Sequence, residues 1–374
     1  MKVLLLYASF GGGHFKAAES LKEYFEEYHP DYELMFLDAM KYTSPEINNI
    51  ILKSYVQLAK NMPKAWGKIY NLSDQYSSLT DFTTLLNKIV AGKFKQLVLD
   101  FKPDIIICTH PFAVDMLYTL KKKNTLNAKI GLVLTDYAPH AMWLTQPNTV
   151  DAFFVAHEGM IDLMEIENID TKKVYATGIP VLKAFHTEYD RVELLKEFGL
   201  EDKFTLLFIP GGEYGMSKNS KVFKDILRIP DIQIIAVTGK NEKLKKKFEK
   251  LAGVSSKNIK VLGYTNDIPK LLHISNLIIS KTGGLTTTES IVSHTPLVVL
   301  SPLPGQEEHN SNYVINNGLG YRLFENCNKL VTLKSIIYNK KRLEQINEMC
   351  SLLAKPNASK DICEKMIELS KNVD

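Results

Sequence analysis

Four short polar stretches in the second half of the chain carry residue types that suit a charged leaving group: Val237-Thr238-Gly239-Lys240, Leu262-Gly263-Tyr264-Thr265, Ser280-Lys281-Thr282-Gly283-Gly284-Leu285-Thr286-Thr287-Thr288-Glu289 and Pro304-Gly305-Gln306-Glu307-Glu308-His309-Asn310. The pair Gly283-Gly284 opens a predicted helix. The first N–H groups of a helix have no acceptor inside it, so here, with the Thr286 and Thr287 hydroxyls, they can hold a diphosphate. Glu289 falls about one helical turn beyond Thr286 on the same face, where a carboxylate accepts from both hydroxyls of a ribose. Gly263 and Tyr264 offer backbone groups and a ring to a base, and Gln306, Glu307 and Asn310 can bond the hydroxyls of a sugar. Gly239 and Lys281 belong to the same set of loops. Any one of these pieces also reads as a packed and capped helix start; the four together at the ends of successive strands argue for a ligand.

The first half holds groups that can move a proton. His14 follows Gly11-Gly12-Gly13 at the start of a predicted helix, and its imidazole titrates near neutrality, which suits a general base. It also reads as a histidine that only bonds the backbone. Asp136 and His140 lie with Trp143 in Thr135-Asp136-Tyr137-Ala138-Pro139-His140-Ala141-Met142-Trp143, where Asp136 would orient a base, hold an acceptor or brace a turn. His110 ends another run and ranks below these. Gly12 and Gly13 in the first turn, and Gly212 in a second one, provide close approach to a phosphate or acceptor.

The elements that must position these groups are short β-branched runs alternating with helical patterns. The runs are Val3 to Tyr7, Tyr32 to Leu37, Asp104 to Cys108, Ile130 to Leu134, Ala152 to Val155, Phe204 to Ile209, Ile232 to Val237, Leu277 to Ile279 and Leu297 to Leu300. Being apolar throughout, they predict parallel sheets buried on both faces, an α/β protein. Leu5-Leu6-Tyr7-Ala8-Ser9-Phe10-Gly11-Gly12-Gly13 and Leu206-Leu207-Phe208-Ile209-Pro210-Gly211-Gly212 resemble each other, each a strand followed by a glycine turn. This predicts two Rossmann-like domains in tandem, residues 1–180 and 181–355, with a ligand cleft between them. After Phe15, the residues Ala18, Leu21, Phe25 and Tyr28 recur at helical spacing as a buried stripe. Neither GxxxxGK[ST] nor GxGxxG occurs.

The chain has 374 residues, 45% hydrophobic and 24% charged, which is ordinary for a globular protein of two domains. Its four cysteines form no CxxC pair and read as reduced thiols of a cytoplasmic protein, with no metal site. No run reaches the roughly 18 apolar residues of a spanning helix. A net charge of +4 suits an anionic lipid or a phosphorylated ligand, and no nucleic-acid partner is expected. Ile47, Ile51, Leu58 and Met62 fall on one side of a helical pattern and Lys53 and Lys60 on the other, with Lys64, Trp66 and Lys68 beyond Pro63. This segment fits either a bilayer interface or the domain's own core.

The elements TGK, LGYT, SKTGGLTTTE and PGQEEHN, with GGGH near the N-terminus, resemble those of the monogalactosyldiacylglycerol synthases and processive diacylglycerol glucosyltransferases, GT-B enzymes distantly similar to the lipid II N-acetylglucosaminyltransferase. The resemblance covers nearly the whole chain. It implies a GT-B pair of facing domains, a UDP-sugar donor (glucose or galactose), an inverting transfer with no required cofactor or metal, and a lipid acceptor taken at the inner face of the cell membrane. It further implies diphosphate contacts at Gly283, Gly284 and Thr286, a ribose contact at Glu289, sugar contacts at Gln306 and Glu307, and a last helix (about 356–374) returning to the N-terminal domain. The absence of a DxD sequence agrees with metal independence. Thr282 stands where many relatives carry proline, and Phe15-Lys16 where arginine is common. A transferase with a polyprenyl-linked or soluble acceptor, a UDP-sugar epimerase and a nucleotide-sugar sensor remain as alternatives.

Overall fold

The computed structural model describes residues 1–9, 12–43, 94–123, 125–211, 220–324 and 326–371. Gly212 and the amphipathic segment from Ile47 to Tyr70 lie outside the described residues. The chain falls into two compact units, one of Met1–Leu182, Pro304–Gln306 and Lys355–Asp374, the other of Lys183–Leu303 and Glu307–Ala354.

The first unit contains a parallel sheet of β1 (Lys2–Tyr7), β2 (Glu33–Asp38), β3 (Ile105–Cys108), β4 (Lys129–Val133), β5 (Ala152–Phe154) and β6 (Val174–Tyr175), in the order β2-β1-β3-β4-β5-β6. The second contains β7 (Phe204–Ile209), β8 (Ile232–Val237), β9 (Ile259–Leu262), β10 (Leu277–Ser280), β11 (Leu297–Leu300) and β12 (Gly320–Leu323), in the order β12-β11-β10-β7-β8-β9. Every pairing within these sheets is parallel. Read from its first strand, the second sheet has the strand order of a dinucleotide-binding fold, and the chain changes direction between β7 and β10. In the first sheet the change falls between β1 and β3. Ligands of such sheets bind at these switch points, beyond the carboxyl ends of the strands.

All the apolar runs read from the sequence are strands, but not all are buried on both faces. β2 is an edge strand and most of its residues are partly exposed. Three strands were not among the runs: β6 has only two residues, and β9 and β12 are edge strands with mixed composition and partial exposure. An edge strand covers less apolar surface, so its sequence carries a weaker signal.

The core of the first unit joins Val3, Leu5, Ile105, Ile107 and Val133 to Leu21 and Phe25 of the Gly13–Tyr28 helix and to Ile362, Cys363, Met366 and Ile367 of the Ala358–Lys371 helix. Tyr28, expected in the buried stripe, is instead 54% exposed and stacks on Tyr24. The returning helix is admitted by Gly131 on β4, where a Cβ would lie 2.7 Å from Met366 Sδ and 3.0 Å from the Phe154 ring. Its approach is fixed by Lys355, whose Nζ donates to Glu158 and, at 2.7 Å, to the Ala176 carbonyl. Gly178 makes room for that lysine at φ +91°, a conformation that favours glycine.

Gly131→Val overfills the contact between sheet and helix, and about 1–3 kcal/mol of stability is lost. Chemical denaturation of the variant, followed by circular dichroism, measures it.

Candidate active site

In the first unit, the turn after β1 leads into the Gly13–Tyr28 helix with Gly12 at its N-cap and no side chain capping it. A Cβ at Gly12 would meet nothing within 4 Å, and its φ of −84° suits any residue. Among the described residues neither packing nor backbone strain requires glycine at this turn, which lies at the first switch point. Gly13 follows as the first helical residue and is partly buried.

His14 stands in this first turn, tied to the ends of the neighbouring strands. Its Nδ1 lies 2.7 Å from the carbonyl oxygen of Thr109, just after β3, and the Thr109 hydroxyl donates back to the His14 carbonyl at 2.8 Å. A carbonyl only accepts, so Nδ1 carries the proton and Nε2 keeps a lone pair. Thr135 Oγ1, beyond β4, is 3.0 Å from the same Nδ1. The rings of His110 and Trp143 stand 4.6 and 5.9 Å from the imidazole, centroid to centroid. Burial lowers the His14 pKa below the ordinary 6.5, against the attraction of the Asp136 charge and the Thr109 bond. His110 is pushed well below that value by burial and then by His14. Both imidazoles are therefore neutral at physiological pH.

Two further histidines of this edge, His110 and His140, hold the opposite tautomer. His110 Nδ1 accepts from the Phe112 N–H at 3.2 Å, capping the Pro111–Lys122 helix, and His140 Nδ1 accepts from the Met142 N–H at 3.2 Å, capping the Ala141–Leu144 turn. Their Nε2 atoms must carry the proton, which leaves His14 as the one of the three with a basic ε nitrogen. Trp143 is buried in that turn and Met142 beside it is 48% exposed. Asp136 is buried. Gln306, expected beside a donor sugar, groups with this first unit, where its Nε2 donates to Asp136 at 2.8 Å.

In the second unit, Gly283 caps the Gly284–Val292 helix at φ −64° and ψ 147°, again with no side-chain cap, and a Cβ there would meet nothing within 4 Å. Most of this helix is buried. Gly283, Thr286 and Glu289 are partly exposed, so residues three apart form one open polar stripe starting at the uncapped end. Gly284 is buried as the first helical residue. Thr287, expected to offer its hydroxyl beside that of Thr286, lies on the buried side at 0% exposure, and its Oγ1 has no partner among the described residues. The difference follows from the 100° turn per residue, which sends adjacent threonines to different faces.

The loops after the neighbouring strands are fixed to this helix start. Thr282 Oγ1 donates to the Glu307 carbonyl at 2.7 Å, and Asn310 Nδ2 donates to the Thr282 carbonyl at 2.9 Å. Asn310 was expected among the sugar contacts; it is fully buried and serves this bond, because a side chain in the second turn of the Gln306–Asn316 helix faces β10. The Glu307 carboxylate accepts from the Leu303 N–H at 2.7 Å and lies 3.6 Å from Lys281 Nζ. Glu308 holds Arg322 with two bonds of 2.6 and 3.1 Å. Beyond β8 and β9, Gly263 approaches Gly239 so that a Cβ would sit 3.6 Å from its carbonyl, and Lys240 Nζ lies 5.7 Å from the centre of the Tyr264 ring. That ring is 62% exposed, a face on which a planar base can stack.

Residues 14–181 match the monogalactosyldiacylglycerol synthase family and residues 211–365 the C-terminal domain of glycosyltransferase family 28. The processive diacylglycerol beta-glucosyltransferase of Bacillus cytotoxicus is 27% identical over 372 residues, 98% of this chain and 93% of that protein. MurG of Acinetobacter baumannii superposes with a TM-score of 0.67 at 14% identity, over 98% of this chain and 99% of that one. The UDP-GlcNAc 2-epimerase of Neisseria meningitidis, solved with UDP-GlcNAc, superposes at 0.64 and 16% identity, over 98% and 100%. The structural likenesses show the GT-B fold. The family matches and the relatives make this chain a glycosyltransferase, its first part similar to the monogalactosyldiacylglycerol synthases and its second to the family 28 C-terminal domain.

Thr109, Thr135 and the packing of His110 on His14 were missed in the sequence. Their signal was positional, since Thr109-His110 follows the run to Cys108 and Thr135 the run to Leu134. Acid should unmask the buried imidazoles. A histidine whose folded pKa is depressed takes up its proton preferentially in the unfolded chain, so stability is full above 6.5 and declines as pH falls from there toward the folded values. Thermal midpoints recorded from pH 7.5 to 5 should fall, and less steeply in His110→Asn, which keeps the helix cap but cannot titrate.

Proposed function

We propose that this glycosyltransferase moves glucose or galactose from a UDP-sugar to diacylglycerol or a glycosyldiacylglycerol at a membrane surface, with inversion and without a required metal. The observation that carries the reading is the open, uncapped helix start at Gly283 with Thr286 and Glu289 on the same exposed stripe. The names of the relatives, which act on diacylglycerol, and the UDP-bound structures of the same fold support it. Among the described residues no helix is long and apolar enough to cross a membrane.

In this reading the second unit binds the donor. The amides ahead of Gly284 take the diphosphate, Thr286 adds its hydroxyl, Glu289 accepts from the ribose and Tyr264 stacks on the uracil. Lys281 and Glu307 stand nearest the sugar. Asp136 and His140 line the acceptor side, with Met142 and Trp143 as its apolar wall. His14 Nε2 removes the proton of the acceptor hydroxyl as its oxygen attacks the anomeric carbon. The bond from that carbon to the β-phosphate oxygen breaks, and the electron pair leaves with UDP. Amides already aimed at the phosphate stabilise the growing charge without reorganising. One displacement at one carbon inverts it.

Incubation with UDP-glucose or UDP-galactose and diacylglycerol vesicles, followed by mass spectrometry, should yield hexosyl-diacylglycerol, and turnover should persist in EDTA. Conversion of the UDP-sugar without any acceptor would show an epimerase instead. By calorimetry, Glu289→Ala should lose about 1–3 kcal/mol of UDP binding, the range for leaving polar groups unpaired. Gly283→Ala should melt at the parent temperature yet bind UDP weakly, because its Cβ fills space reserved for phosphate. His14→Ala should bind UDP normally and transfer nothing.

A further inference from the structure

The diphosphate reading gives the Gly283 amide a task, and the bonds around it say how that amide is aimed. The Thr282 carbonyl and the Gly283 N–H belong to one planar trans peptide, in which the two point in opposite directions. Fixing the carbonyl therefore fixes the N–H. Asn310 Nδ2 holds that carbonyl at 2.9 Å from a fully buried position. Thr282, also fully buried, is held a second time by its own hydroxyl, which donates to the Glu307 carbonyl at 2.7 Å. The peptide is thus gripped at its oxygen and beside its carbon, while a Cβ on Gly283 would meet nothing within 4 Å among the described residues.

We infer that Asn310 and Thr282 are positioning residues that lock the Thr282–Gly283 peptide with its N–H turned toward the leaving diphosphate. Neither touches the donor. Asn310 is three residues beyond Glu307 in the same helix, so the lock also joins the diphosphate turn to the residue nearest the sugar. Without it the peptide plane can rotate, and the amide loses its aim while the helix beyond remains folded, since Thr287 N–H still bonds the Gly283 carbonyl at 2.9 Å. The oriented amide matters most where phosphate charge is greatest, so its loss weighs on the transition state more than on uridine recognition.

The inference rests on the donor reading, and one experiment separates the two. Affinities of the full chain for UDP and for uridine are measured by calorimetry in the parent, Asn310→Leu, Thr282→Val and Thr282→Ser, alongside kcat and KM for transfer from UDP-glucose. The lock predicts that Asn310→Leu and Thr282→Val lose tenfold or more in UDP affinity with uridine affinity changed less than twofold, and that kcat falls more than KM rises. Thr282→Ser, which keeps the hydroxyl, should stay within about threefold of the parent. Thr282→Val is nearly isosteric and keeps the test open if Asn310→Leu does not fold. Variants that retain the parent's preference for UDP over uridine, or lose both ligands equally, would overturn the lock alone. A parent that binds UDP no better than uridine would overturn the donor reading and the lock with it.

Discussion

A helix that begins without a capping side chain turns several N–H groups outward with nothing in the helix to receive them. Gly12 and Gly283 begin helices in this way, each in the turn after a strand at a point where its sheet changes direction, whereas two other uncapped α-helix starts, at Glu158 and Asp267, carry side chains. Other starts are closed. Asp190, Asn241, Asn328 and Asn339 each cap the helix they precede with a side-chain oxygen. Such a cap stabilises by about 1 kcal/mol, so leaving the Gly283 start bare, where the extended backbone would suit aspartate or asparagine, is a local concession of stability. Concessions of this kind gather at functional sites. The rest of the architecture can be understood as the means of keeping those two openings rigid and unobstructed.

The two openings are kept in different ways. Around Gly12 the support is His14, its imidazole held by the Thr109 carbonyl and packed by His110 and Trp143 and its own carbonyl held by the Thr109 hydroxyl, so the residue that holds the turn also carries the basic nitrogen. Around Gly283 the support is made of neutral hydrogen bonds from Thr282 and Asn310, with charged groups one layer away in Lys281, Glu307, Glu308 and Arg322. The family this chain resembles often places proline at Thr282, which stiffens a turn through its ring. Here a hydroxyl does so through a bond to a neighbouring loop, a restraint that depends on the loop being in place.

The fold was largely legible because parallel strands buried on both faces are continuous apolar runs, as in Leu297 to Leu300, and because glycine turns such as Gly283-Gly284 mark the point where a strand gives way to a helix. Edge strands such as Ile259–Leu262 escaped for the converse reason, since lysine is tolerable where one side meets water. Residue type and spacing singled out Gly283, Thr286 and Glu289, and the helix places these three on one partly exposed stripe. They could not separate Thr286 from Thr287, which depends on the phase of a helix whose start must be known to one residue. Asn310 looked like a sugar contact because its amide follows a strand in the same polar stretch as Gln306 and Glu307; that it bonds a buried carbonyl depends on a contact 28 residues away. The tautomer of His14 likewise lies in a partner 95 residues distant.

The Ala358–Lys371 helix supplies Ile362, Cys363, Met366 and Ile367 to a core whose other members begin at Val3. During synthesis the first unit therefore emerges long before its last wall exists, and the whole second unit is translated in between. Domains emerging from the ribosome tend to fold in order, N-terminal first. In this chain the first unit cannot cover its apolar flank until the last helix has been made, after the second unit. A released chain ending before residue 358 would thus hold every strand of both sheets yet leave the flank beside Val3 and Leu21 bare, which is the kind of surface that chaperones attend.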